Sequence, residues 1–335
     1  MIFPRIAIDL GTSTVRVYVP KKGIVAQEPS VVAVSVDDNR ILAVGSEARE
    51  MLGRTPDVIT ASRPLVDGVI ADYRVTEALL RYLLNKIMGR LRVFRPEVMI
   101  SVPASITSTE RRAVIDAAVS AGARRVYIIR TPVAAAIGAQ VPIAAPAGNL
   151  VVDIGEGTTE VAILSLGGIV AQKSERLGGG KLDAAIMEYV RKKHGLIIGS
   201  QSAEEIKIDI GSALPLTKKL KKQVRGRDAV AGLPRTIELS SDEITEAINE
   251  HLNDILLVVK SVLEQTPPEL SSDIIDRGMI MTGGGSLLRN IDKLMTKVTG
   301  VPSYVTDDAQ LSVIKGAGIA TENLAEYLRS VMSNR

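Results

Sequence analysis

Two stretches of this 335-residue chain carry nearly the same phrase: Ile6–Val15 reads IAIDLGTSTV, and Val151–Glu160 reads VVDIGEGTTE. In each, an apolar run delivers an aspartate, Asp9 or Asp153, and the chain then turns through glycine and resumes at threonine. Strand, tight turn, strand is a hairpin, and its tip aims successive backbone N–H groups and hydroxyls at one spot. Such a tip holds phosphate oxygens, while the aspartate at the strand end can hold Mg2+ through water. One Asp-x-Gly turn is an everyday feature. Two of them, facing each other from two similar domains, make a clamp on a polyphosphate. A third element, Met279–Ser286 (MIMTGGGS), runs from an apolar strand into three glycines and a predicted helix start, LLRNID. Glycines there let backbone lie flat against a planar ring, and a helix N-terminus favours an anion. Alone, this element reads equally well as a loose connector.

Elements that could position these turns alternate along the chain. Short β-branched runs predict strands at Ile6–Ile8, Val15–Val19, Val31–Val36, Val98–Val102, Val126–Ile129, Leu150–Ile154, Val161–Ser165, Gly168–Gln172 and Met279–Thr282. Thr107 and Glu110 form a predicted capping box, followed by apolar residues at helical spacing from Ala113 to Ala121 and a stop at Gly122. A second helical period runs from Leu79 to Met88, before Gly89. Such alternation is an α/β architecture. The run Lys218–Lys222 reads as a solvated basic loop.

Composition removes several chemistries. With 46% hydrophobic and 24% charged residues the chain is globular, and its length suffices for two domains with separate cores. A net charge of +3 is too small to imply a nucleic-acid groove. The absence of cysteine excludes disulfides, thiolate zinc sites and a thiol nucleophile, and fits a reducing cytoplasm. His194 and His251 lie far apart in polar, helix-like settings and read as surface residues. No apolar run approaches the ~18 residues of a membrane span and no signal-peptide pattern opens the chain, so neither secretion nor membrane crossing is expected.

From Ile6 to about Ala320 the sequence resembles the MreB family of bacterial actin homologues, within the actin, sugar-kinase and chaperone ATPase superfamily. The resemblance rests on the three glycine elements together with EPSVVAV (Glu28–Val34), VGSEAREMLGRTP (Val44–Pro56), DGVIADY (Asp67–Tyr73), TERRAVIDAA (Thr109–Ala118), AEEIKIDIGSA (Ala203–Ala213) and TPPELSSDIIDRG (Thr266–Gly278). It implies an α/β actin-like ATPase fold of two ribonuclease-H-like domains around a nucleotide cleft. The first would span 1–140 with a subdomain inserted near 30–75. The second would span 141–335 with a subdomain near 185–245, its C-terminal helix returning to the first domain. It further implies ATP or ADP with Mg2+ as cofactors, paired filaments of the chain itself, a peripheral cytoplasmic place on the inner face of the cell membrane, cell-wall synthesis proteins as partners, and a role in rod shape. The alternative on the same fold is a small-molecule kinase or other soluble ATPase; for a kinase no substrate-side catalytic carboxylate stands out.

Carried over by residue, the resemblance assigns phosphate contacts to Gly11, Thr12 and Ser13 and to Gly155, Glu156, Gly157 and Thr158. Metal would be held through water by Asp9 and Asp153. Glu204 and Lys207, three apart on one helical face, fall on the adenosine side; by themselves they read as an exposed i,i+3 ion pair. Gly283, Gly284, Gly285 and Ser286 fall at adenine and ribose. Membrane entry is assigned to Phe3 at the N-terminus and to Leu91, Val93 and Phe94, interleaved with Arg90, Arg92 and Arg95. Three departures stand out. Thr131 replaces the glutamate expected to orient the attacking water, which leaves Thr158, Glu156 and Thr131 as the catalytic candidates and predicts slow hydrolysis. Glu156 replaces a glycine, adding a carboxylate either as a repulsive group or as a metal-side charge. Arg16 replaces an aliphatic residue and is expected both to contact phosphate and to offset Glu156.

Overall fold

The computed structural model describes residues 4–38, 40–89, 95–327 and the backbone of 331–333. Two main sheets repeat one plan. In the first, Arg5–Leu10 pairs antiparallel with Thr14–Val19, which pairs antiparallel with Gly23–Pro29. On its other side it runs parallel to Glu97–Val102, then come Arg125–Arg130 and, antiparallel at the edge, Val331–Ser333. In the second, Asn149–Ile154 pairs antiparallel with Thr159–Ser165, beyond which lies Gly168–Glu175. It runs parallel to Met279–Thr282, followed by Ser303–Val305. Both copies of the repeated phrase thus start a hairpin whose first strand is central in its sheet. Centrality explains their composition: Ile6, Ala7 and Ile8, like Leu150, Val151 and Val152, are buried on both faces of the sheet, as near-continuous apolar runs require.

Each sheet has its own core. On the first, helix Tyr73–Met88, capped by Asp72 accepting from Val75 N, presses Leu79, Leu80, Leu83 and Leu84 onto one face. Helix Ser108–Ser120, with the predicted Thr107/Glu110 capping box, joins it there. On the second, helix Ser241–Glu264 contributes a stripe from Ile244 to Val262. Between the sheets lies a third core containing two helices, Thr131–Gly138 and Ser312–Glu322, with Ala7, Met99 and Ile129 from one sheet and Val151, Ala162 and Leu164 from the other. Those helices meet backbone to backbone. A Cβ added to Gly138 would stand 1.8 Å from Ser312 O, and one added to Gly316 would stand 1.8 Å from Ala134 O.

Two small sheets project from this body. Val32–Ser35, Ile41–Val44 and Ile59–Ser62 form one, with helix Ser46–Met51 against it; Leu196–Ile197, Lys221–Asp228 and Pro234–Ser240 form the other. The latter corrects the reading of Lys218–Lys222 as a loop. Lys221 and Lys222 open a strand, and their charges are met by Glu238 of the neighbouring strand and by Asp209, while Lys219 pairs with Asp242. Those acidic partners are distant in sequence, so a local reading cannot see the neutralisation. The helix expected directly after the glycines is also displaced. Gly284–Leu287 is a single 3-10 turn, and the α-helix begins at Ile291 after Asn290 in the left-handed region.

The helix crossing yields a stability prediction. Gly316→Ala should lower unfolding free energy by about 3 kcal/mol, because the methyl has no room without separating the helices. Urea titration checks it, against Gly199→Ala as a control where an added Cβ meets nothing.

Candidate functional site

The two hairpin tips face each other across a cavity of about 520 Å³ between the halves. Gly11 makes the first turn possible, since a Cβ there would stand 2.6 Å from Thr14 O; Ser30 Oγ donates to Gly11 O at 2.6 Å and fixes the tip from below. In the second, Gly155 N donates to Thr158 O at 2.8 Å. The tips approach so closely that a Cβ on Gly157 would lie 2.6 Å from Thr12 Oγ1 and 2.9 Å from the Cα of Asp67. Gly68 N donates to Thr12 Oγ1 at 3.1 Å, so the short hairpin Leu65–Ile70 closes the same side.

Of the residues singled out from sequence, Asp9, Gly11, Thr12, Ser13, Arg16, Thr131, Asp153, Gly155, Glu156, Gly157, Thr158, Glu204, Lys207, Gly283, Gly284 and Gly285 all line this cavity. Ser286 does not line it: buried beneath the glycine turn, it donates from Oγ to Thr282 O at 2.5 Å. Phe3, Leu91, Val93 and Phe94 lie outside the described residues.

Electrostatics at the back of the cavity are dominated by buried carboxyl groups. Asp9 accepts from Ser101 Oγ at 2.7 Å and has Arg16 Nη1 3.5 Å away; burial nonetheless raises its pKa above the usual carboxylate value. Asp153 accepts from Thr282 Oγ1 at 2.7 Å, and burial, aided by the charge of Asp9, pushes it up to about 6. Each aspartate thus comes from the end of a central strand of one half, and Asp153 senses the charge of Asp9. Among the described residues no three acidic or histidine side chains form a ready-made metal cage. Two carboxylates with the remaining positions left to water and phosphate suit Mg2+, which keeps much of its hydration.

Several partnerships differ from the sequence reading. Arg16 lies on Asp9, and the charge offset expected for Glu156 is supplied instead by Arg63, whose Nη1 is 3.1 Å from Glu156 Oε1. Glu204 and Lys207 do not pair with each other. Glu204 meets Arg49 from the first half at 3.3 Å, while Lys207 Nζ reaches Asp183 at 2.8 Å and Gly179 O at 2.9 Å. Thr131 opens its helix and donates from Oγ1 to Val102 O at 2.9 Å, so its hydroxyl proton is committed to backbone.

Two residues escaped the sequence reading. Glu160 closes the second phrase and pairs across the strands with Asp153; it is buried in the cavity wall and accepts from Ala104 N at 2.8 Å. Its register opposite Asp153 was the available signal, because directly opposed residues share a face. Burial pushes its pKa up to about 8. Arg63 stands just before the DGVIADY segment and carried no signal of its own.

A shared cavity with an aspartate-tipped hairpin from each of two similar halves defines an actin-like chain. The model of the MreB/Mbl protein family matches residues 4–329. The cell shape-determining protein Mbl of Bacillus cereus is 48% identical over 95% of this chain and 96% of its own length. The cell shape-determining protein MreB of Escherichia coli K12 is likewise 48% identical, over 95% and 93%. Among solved structures, MreB5 of Spiroplasma citri bound to ADP superposes with a TM-score of 0.92 at 36% identity over 98% of both chains. A MamK double helical filament superposes at 0.79 with 21% identity, over 96% of this chain and 99% of that one, a likeness of fold. The chain belongs to the MreB/Mbl family.

Raised carboxyl pKa values tie stability to pH. Glu160 binds its proton more tightly folded than unfolded, so its contribution is full below pH 4.5 and is lost as pH rises through about 8; for Asp153 the loss runs from 3.8 to about 6. Between pH 6 and 8, with chelator and no nucleotide, stability should therefore fall by up to about 1.4 kcal/mol per pH unit, and level off above that. Glu160→Gln, which keeps an acceptor for Ala104 N, should flatten that slope in thermal melts.

Proposed function

We propose that this chain is an ATP-binding, actin-like cytoskeletal protein that polymerises on the inner face of the cell membrane and guides cell-wall synthesis and rod shape. The observation that carries the reading is the convergence of two aspartate-tipped glycine hairpins, one from each half, on one cavity. In this reading Gly11, Thr12, Ser13, Gly155, Gly157 and Thr158 hold the phosphates of ATP or ADP, and Arg16 adds a cation beside Asp9. Asp9 and Asp153 hold Mg2+ through water, and the ion when bound neutralises phosphate charge. Glu204, Lys207 and Gly283–Gly285 flank the nucleoside. The halves, 1–140 and 141–335, act as two domains closing on the nucleotide, and closure is the assembly switch. The ADP-bound MreB5 relative and the MamK filament support this assignment.

Sedimentation tests the switch: the protein should pellet with Mg2+ and ATP and stay in solution without nucleotide. Asp153→Ala should abolish both pelleting and Mg2+-dependent binding of labelled ATP; unchanged binding refutes the metal role. Hydrolysis should be slow, since Thr131 has no carboxylate to align water. Thr131→Glu is expected to accelerate phosphate release ~10²-fold or more, and a wild-type rate equal to the variant's removes Thr131 from the account.

Membrane contact is assigned to Phe3 and to Leu91, Val93 and Phe94, whose flanking arginines each contribute about 1 kcal/mol near anionic head groups. No helix among the described residues is long and apolar enough to cross a membrane, so contact would be peripheral and multiplied along a filament. The double variant Phe3→Ser, Phe94→Ser should lose flotation with anionic liposomes while still pelleting with ATP.

A further inference from the structure

The carboxylate of Glu156 lines the cavity and is paired with Arg63, whose own side chain stands outside the cavity lining and reaches it through this carboxylate. Arg63 Nη1 from the first half is 3.1 Å from Glu156 Oε1. On its other side lies the start of helix Gly179–His194: a Cβ built on Gly179 would stand 2.9 Å from Glu156 Oε2 and 3.1 Å from Lys207 Nζ, and one on Gly180 would stand 3.1 Å from Glu156 Oε1. Backbone donors at that helix start are already used, Gly179 N by Gly155 O and Gly180 N by Glu156 O. The helix therefore offers only its field, and the exchangeable bond in the group is the one between side chains, Glu156 to Arg63. Lys207 is held by Asp183 and Gly179 O, whereas Arg63 has Glu156 as its partner in the group. Glu156 lines the cavity beside Gly157 and Thr158, so a phosphate seated on the second hairpin meets its charge directly.

We propose that Arg63 is a phosphate ligand and that Glu156 competes with the nucleotide for it, so that this pair sets affinity according to the number of phosphates. The inference rests on the reading of the cavity as a nucleotide site. A long polyphosphate displaces Glu156 from Arg63, exchanging one bond between the halves for another that runs through the nucleotide. AMP, which carries no β- or γ-phosphate to draw the guanidinium away, leaves the ion pair in place. The exchange makes Glu156 a brake on ATP and ADP that a glycine at this position would lack.

Competition of unlabelled ATP, ADP and AMP against a fluorescent ATP analogue, in Mg2+, tests the pair. Glu156→Gln keeps the size and removes the charge; it should tighten ATP ~10-fold and leave AMP within about twofold. Adding Arg63→Met to Glu156→Gln should cancel the ATP gain, because the freed guanidinium is what the phosphate takes up. Glu156→Gln binding ATP no tighter than wild type overturns the proposal, and weaker binding makes Glu156 a metal-side group instead. A double variant that keeps the full gain also overturns it, by removing Arg63 as a ligand. Thermal melting midpoints close to wild type for both variants show that folding is preserved. Failure of the wild type and all variants to bind any of the three nucleotides refutes the nucleotide site itself, an outcome distinct from equal binding by all.

Discussion

The backbone contact of Gly138 with Ser312 and of Gly316 with Ala134 governs the rest of the molecule. Two helices that touch without side chains between them bring the sheets on either side close enough for their central strands to end opposite each other. Asp9 and Asp153 are the last polar residues of those strands, so their separation is fixed by the crossing, not by local turn geometry. A wider crossing would leave two unrelated hairpins. At this distance they become one cavity.

That cavity is assembled at the expense of stability. Asp9, Asp153 and Glu160 are desolvated carboxyl groups gathered at the same wall, and each is partly relieved by a neutral donor: Ser101, Thr282 or Ala104 N. Among the described residues Arg16 is the cation paired with the group, through Asp9. Such an arrangement favours anything that supplies cations from outside, since binding removes a repulsion the fold itself carries. The apolar helices and sheets of the three cores offset this cost, which explains why a chain so poor in aromatics devotes long runs of Val, Ile, Leu and Ala to central strands.

Most of the fold was legible because its signals are local. Alternation and β-branching marked the main strands, Thr107 with Glu110 marked a helix start, and the repeated phrase marked both hairpins with their aspartates. What stayed hidden depends on partners far apart in sequence. Lys221 and Lys222 read as loop because Glu238 and Asp209, which neutralise them, lie outside any local window. Arg63 is an isolated cation until folding sets it against Glu156, and Arg16 finds Asp9 across its own hairpin instead of the carboxylate it was matched with. Glu160 was within reach, one strand register from Asp153, but only once the hairpin was drawn out residue by residue.

Helix Ser312–Glu322 has a consequence for how the molecule comes into being. It packs against Thr131–Gly138 and reaches strands Arg5–Leu10 and Thr14–Val19 of the first sheet. During synthesis the first sheet emerges early except for its edge strand Val331–Ser333, yet the helix that covers one of its faces follows some two hundred residues later, as do the strands of the second sheet that complete that core. For the interval the apolar face formed by Ala7, Met99, Ile129 and the Ala134–Ile137 turn has no partner. A nascent chain in that state exposes the kind of surface that chaperones bind and that neighbouring ribosomes' products can join. Its folding is closed by its late residues, and protease protection of the first sheet on stalled chains should appear only after Glu322 has cleared the ribosomal exit.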